Sequence, residues 1–137
     1  MKTIFSIVTI IAFAVFITGF TKRPGEDPWP IPEKYLKMAN PVKADAKSIA
    51  AGKALYLVNC EACHGKKGLG NGTKAPDLKT SPGNFTKPAF QAQTDGAIFY
   101  KMSEGRKEMP KAKKDLPNDI DRWHLVNYLR IFAPPKN

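Results

Sequence analysis

Apolar residues recur at helical spacing in three separated stretches of the chain. In DAKSIAAGKALYLVNC, residues 45–60, Ile49, Gly52 and Tyr56 share one face at intervals of three and four, and Asp45 stands where a cap belongs. TDGAIFYKMSEG, residues 94–105, places Ile98, Phe99 and Met102 on one side behind Thr94 as cap. NDIDRWHLVNYLRIF, residues 118–132, has Asn118 or Asp119 at the cap, acidic residues in its first turn, Arg130 near its end, and Pro134 and Pro135 as a stop. Its Trp123, Leu125, Val126, Tyr128, Leu129 and Phe132 form a broad apolar face. No run alternates with the period of a strand, so the expected class is all-α. A glycine inside a helix costs about 1 kcal/mol relative to alanine. Gly52 therefore marks a point where another helix crosses closely, and the last helix is the natural partner.

The connecting segments are long. HGKKGLGNGTKAPDLKTSPGNFTKPAF, residues 64–90, is broken by Gly65, Gly68, Gly70, Gly72, Pro76, Pro82, Gly83 and Pro88. A loop of about 25 residues far exceeds the usual connection, and a compact domain tolerates it when it wraps around something. GRKEMPKAKKDLP, residues 105–117, is a second loop. Upstream, residues 22–44 form a Pro-rich extended arm, whose prolines at 24, 28, 30, 32 and 41 exclude a regular helix or central strand. Trp29, Ile31 and Tyr35 can pack on the body or on a partner, but the plainest expectation is a tether with a few aromatics on the surface.

Residues 1–21 read as a signal peptide or N-terminal membrane anchor, with one lysine followed by the apolar run of residues 4–20. Cleavage and retention are both open, and either carries residues 45–133, the domain proper, out of the cytoplasm. Residues 134–137 are a short tail. The net charge is +10, and between Lys66 and Lys114 eleven basic side chains face four acidic ones. Such a body is drawn to acidic protein faces or anionic lipid, and export makes nucleic acid the least suitable partner.

The two cysteines of the chain, Cys60 and Cys63, are followed at once by His64 in CEACH. Thiols at this spacing can add across two porphyrin vinyl groups as thioethers, and the adjacent imidazole then lies under the iron as axial ligand. Other chemistries fit less well. Structural zinc needs four ligands, and the fourth would be His124, on an apolar helix face. An iron–sulfur cluster lacks thiolates, and a redox pair of the thioredoxin kind opens a helix where this one ends a helix. A plain disulfide leaves the histidine without a role. For the second axial position the candidates are Met38, Met102, Met109 and His124. Met109 is the choice: it sits in a loop stiffened by Pro110, whereas Met38 lies in the arm, Met102 on a buried helix face and His124 beside Trp123.

With these residues in place, the chain resembles a class I cytochrome c of the small single-haem bacterial type over about residues 47–133. CEACHGKKGLGNG matches the attachment motif and its glycine loop, APDL the stretch facing the proximal histidine, and SEGRKEMP the methionine loop. The resemblance implies the all-α cytochrome c fold around one covalent haem c, with Gly52 and Tyr56 meeting Leu125 and Tyr128 where the first and last helices cross. It also implies that the Pro76 carbonyl accepts a hydrogen bond from the His64 ring. The expected activity is single-electron transfer in the periplasm, free or on the outer side of the inner membrane, by a monomer or a complex subunit. Lys66, Lys67, Lys111, Lys113 and Lys114 are candidates for docking acidic redox partners, with no role for nucleic acid. A haem subunit of a larger oxidoreductase docked by the arm, or a peroxide- or gas-binding haem protein, are the alternatives.

Overall fold

The computed structural model describes residues 28–135. Among them the helices run α1 (Glu33–Leu36), α2 (Ala46–Asn59), α3 (Glu61–His64), a 3-10 turn (Ala75–Asp77), α4 (Pro88–Gln91), α5 (Asp95–Glu104), α6 (Ala112–Asp115) and α7 (Asp119–Arg130). No strand occurs among the described residues; the β-type pairing is one isolated bridge between Arg106 and Met109. The all-α expectation therefore holds, and none of the described helices is long and apolar enough to cross a membrane. The leader, residues 1–21, and the start of the arm lie outside the described residues.

Each long helix begins with a side chain that satisfies a backbone donor the helix leaves unpaired. Asp45 accepts from the Ser48 N–H at 2.9 Å, Thr94 from the Ala97 N–H at 3.2 Å, and Asn118 from the Ile120 N–H at 3.0 Å. The last of these places the α7 cap on Asn118.

The crossing of α2 and α7 is the main packing event. A Cβ on Gly52 would lie 2.1 Å from the His124 carbonyl oxygen and 2.8 Å from the Tyr128 Cβ, so the two helices meet here because a side chain is missing. Around that point Tyr56 and Leu125 are fully buried, and the Tyr56 and Tyr128 rings lie 5.2 Å apart. Helix α5 joins through Phe99, stacked on Trp123 at 4.1 Å. Arg130 fastens the same corner, donating to the Asp95 carboxylate at 2.6 Å and to the Gln91 and Gln93 carbonyls at 2.8 and 2.6 Å.

Besides the single turn α4 at the end of the long loop, two segments depart from expectation. Residues 33–36 of the arm form a helical turn, and the arm is docked on the body instead of trailing from it. Gly96 is what allows this, since a Cβ there would lie 2.0 Å from the Tyr35 carbonyl oxygen. The Tyr35 and Tyr100 rings lie 4.7 Å apart, Asn40 donates to the Asn127 side chain at 2.8 Å, and Asn127 donates to the Val42 carbonyl at 3.1 Å. Prolines exclude a long helix but not one turn with Pro32 at its start, where the missing N–H costs nothing. The second departure is α6, a single turn within the basic loop after Met109, with Ala112 and Leu116 against the core.

Gly52→Ala tests the crossing. Helix propensity alone favours alanine by about 1 kcal/mol, whereas the clash with the His124 carbonyl should destabilise by roughly 1–3 kcal/mol or more. Denaturant titration of the haem-loaded protein should show a lowered midpoint; a raised one would mean that the helices are not in contact there.

Candidate functional site

Cys60 caps α3, and Cys63 and His64 close the turn. A helix of four residues leaves its last carbonyls without partners. The glycine loop returns to supply them: Lys74 N–H donates to Ala62 at 2.8 Å, Gly72 N–H to Cys63 at 3.0 Å, and Gly70 N–H to His64 at 2.8 Å. A Cβ on Gly72 would lie 2.3 Å from the Ala62 oxygen, which is why GNG stands here. From the other side, the Tyr56 hydroxyl donates to the Gly65 carbonyl at 2.7 Å, tying the helix crossing to the residue after His64.

The His64 ring is buried, and burial lowers its pKa to about 4. It is therefore a neutral imidazole, the form that binds metals. Its Nδ1 is buried and has no hydrogen-bond partner. The ring stacks on Phe85, centroids 4.5 Å apart, and the bond to the Pro76 carbonyl that the resemblance implies would pair this nitrogen. Burial, with Cys63 adding to it, pushes the Cys60 thiol up to about 12, so it is protonated at neutral pH.

An apolar cavity of about 180 Å³ opens beside this turn, lined by Cys60, His64, Phe85, Ile98, Met102, Met109, Leu125, Leu129 and Trp29 among others. Met109 reaches it from a tight turn in which Arg106 and Met109 exchange two backbone hydrogen bonds, at 3.0 and 2.9 Å. Gly105, at φ 60°, makes that turn possible, since a Cβ there would lie 2.4 Å from the Met109 oxygen. Glu108 ties the turn across to the glycine loop, its carboxylate accepting from the Lys79 and Thr80 N–H groups at 3.1 and 2.9 Å.

Of the other candidate axial ligands, Met102 also lines the cavity, from the buried face of α5. Met38 packs where the arm meets α5. His124 is engaged elsewhere, its Nδ1 bonded to the Ser48 hydroxyl at 2.8 Å. Among the described residues no three His, Cys, Asp or Glu side chains gather to hold a bare metal ion. The donors present fit a covalently attached haem: two thiols on one turn, a neutral imidazole with an unpaired ring nitrogen, a thioether and an apolar wall. A ligand pocket usually measures roughly 300–1,000 Å³. The cavity is smaller, so Phe85 and its neighbours must give way to a group of porphyrin size.

The five candidate docking lysines do not line this cavity. All five are exposed, and Lys113 is in addition bonded to the Glu104 carboxylate at 2.7 and 2.8 Å and through that bond holds it below its ordinary pKa. Sequence reasoning gave no role to Phe85 or Glu108. Phe85 had one signal, being the sole aromatic between His64 and Phe90; Glu108 had none, because its partners lie 28 and 29 residues away.

Comparison with known proteins agrees with this geometry. A family model described as cytochrome c oxidase, cbb3-type, subunit III matches residues 47–129. A thiosulfate dehydrogenase of Stutzerimonas stutzeri (strain A1501) is 29% identical over 93 residues, which are 65% of this chain and 29% of that protein. A chain of the Kuenenia stuttgartiensis reducing HAO-like protein complex Kustc0457/Kustc0458 superposes with a TM-score of 0.63 at 25% identity, covering 80% of this chain and 52% of that one. The KustC0563 c-type cytochrome does so with a TM-score of 0.50 at 30% identity, covering 61% of this chain and 98% of that one. The chain thus spans under a third of the dehydrogenase and about half of the complex chain.

Glu108→Ala should free the Met109 turn from the glycine loop. Hydrogen bonds to charged groups contribute about 1.5–3 kcal/mol, so amide exchange at Lys79 and Thr80 should quicken by at least about tenfold. Unchanged exchange at both amides would show that the carboxylate does not hold them.

Proposed function

The chain belongs to the family described as cytochrome c oxidase, cbb3-type, subunit III, a family of c-type cytochromes, and from that premise we propose a single-electron carrier with His64 and Met109 as the axial ligands of its iron. Membership brings one covalently bound haem c and the activity of haem-based electron transfer. When bound, haem c supplies a one-electron Fe(III)/Fe(II) couple.

The observation that carries the proposal is that one apolar cavity is lined at once by Cys60 and His64, from a single turn, and by Met109, from a loop 45 residues further on. In this reading Cys60 and Cys63 form the thioether links. His64 would hold the iron through a neutral nitrogen and Met109 through its sulfur. Thioether sulfur favours Fe(II) and raises the potential relative to two imidazoles. Phe85, Ile98, Leu125 and Leu129 keep water from the couple. The exposed Lys66, Lys67, Lys111 and Lys114 steer the carrier to acidic redox partners outside the cytoplasm.

A second reading, a haem subunit of a larger oxidoreductase, is favoured by the similarity to a chain of a protein complex and to part of a longer dehydrogenase. It differs from the first in partner and not in cofactor. Stable co-purification with another chain distinguishes it.

Intact mass and a pyridine haemochrome spectrum of protein made with cytochrome maturation machinery should show one haem held by two thioethers; a colourless product without added mass refutes the proposal. Met109→Ala should abolish the far-red charge-transfer band of ferric iron bonded to sulfur and lower the potential by on the order of 0.1 V, within the range axial ligands span. No such band in the wild type would refute methionine ligation. Rates with an acidic partner should fall as ionic strength rises, and a flat dependence would refute steering.

A further inference from the structure

We propose that Trp29 is a positioning residue that closes the Met109 side of the haem cavity, and that the arm is the strap that holds it there. The proposal rests on Met109 as ligand. Trp29 is half-buried and lines the same cavity as His64 and Met109, although eighty positions separate it from Met109 in sequence. Two cations lie over its indole: Lys101 Nζ from α5 at 5.5 Å from the ring centroid, and Arg106 Cζ at 5.4 Å. Arg106 is the opening residue of Met109's own turn, so the indole rests on the element that presents the sulfur. Lys101 is itself fixed by donating to the Gln93 side chain at 2.5 Å.

The strap is built to bring the indole to this place. Pro30 and Pro32 restrict the backbone between Trp29 and the first anchor at Tyr35. That anchor is seated on Gly96 and Tyr100, and Asn40 and Val42 continue the contact onto Asn127. A large flat side chain carried to the cavity by a docked segment, and gripped there by cations from two other elements, excludes water and outside ligands from the side on which the iron–sulfur bond is made. Methionine sulfur is a weak, displaceable ligand, so the cover decides how easily it is replaced.

The test is imidazole binding to the ferric, haem-loaded full chain, followed by the Soret shift and by loss of the far-red band. Trp29→Ala should bind imidazole about tenfold more tightly, equivalent to about 1.4 kcal/mol of lost cover, while keeping the band when no imidazole is present. Trp29→Phe, which keeps a ring, should stay within about threefold of wild type. Gly96→Ala, which unseats the strap without touching the cavity, should match Trp29→Ala, and it serves if the latter fails to fold. Affinities for both Ala variants within twofold of wild type would overturn the proposal. A wild type lacking the far-red band refutes methionine ligation instead, and the ratio of affinities still decides whether Trp29 is the cover.

Discussion

Everything in this fold depends on how closely two helices approach at Gly52. A carbonyl oxygen of α7 occupies the space a side chain would need, and only the absence of a Cβ lets it do so. That contact sets the depth of Tyr56, whose hydroxyl reaches the Gly65 carbonyl and so fixes the turn that carries Cys60, Cys63 and His64. The position of the attachment turn is therefore inherited from a packing contact made by the two longest helices. A domain of this size has little core to spare, and a covalently attached haem would supply apolar volume that side chains do not.

The glycine loop solves a different problem. A one-turn helix exposes carbonyls that a longer helix would satisfy internally, and three successive carbonyls of α3 are met by N–H groups from residues 70, 72 and 74. Loop and turn are thus one hydrogen-bonded unit. The methionine turn is tied to the far end of the same loop through Glu108. The cavity walls that hold Cys60, His64 and Met109 are consequently coupled through backbone, not only through apolar contact.

Much of this was legible from spacing and caps. The three long helices, their caps and the loop character of residues 64–87 follow from local rules, because each depends on neighbours within a turn or two, and the crossing was legible because a glycine inside a helix has a local cost that needs a distant reason. What stayed hidden depends on partners distant in sequence. The docking of the arm needs Gly96 and Asn127, and nothing near Tyr35 or Asn40 announces them. The single turn of α6 is too short to leave a periodic signal. The stacking of Phe85 on His64 joins residues 21 positions apart, a contact that only the packed loop makes. Among the lysines read as one basic rim, Lys113 is engaged by Glu104 and Lys101 lines the cavity, pairings that the charge pattern alone does not announce.

The polar contacts beneath the arm have a consequence for proteolysis. Asn127 sits in α7, donates to both the Val42 carbonyl and the Ser48 hydroxyl, and Ser48 in turn meets His124 beside the crossing. Asn40 and Val42, on an otherwise exposed segment, are thus tied to the buried Asn127 of α7. A protease acting on that segment needs it to come away from α7, so its cleavage rate reports the opening of those contacts.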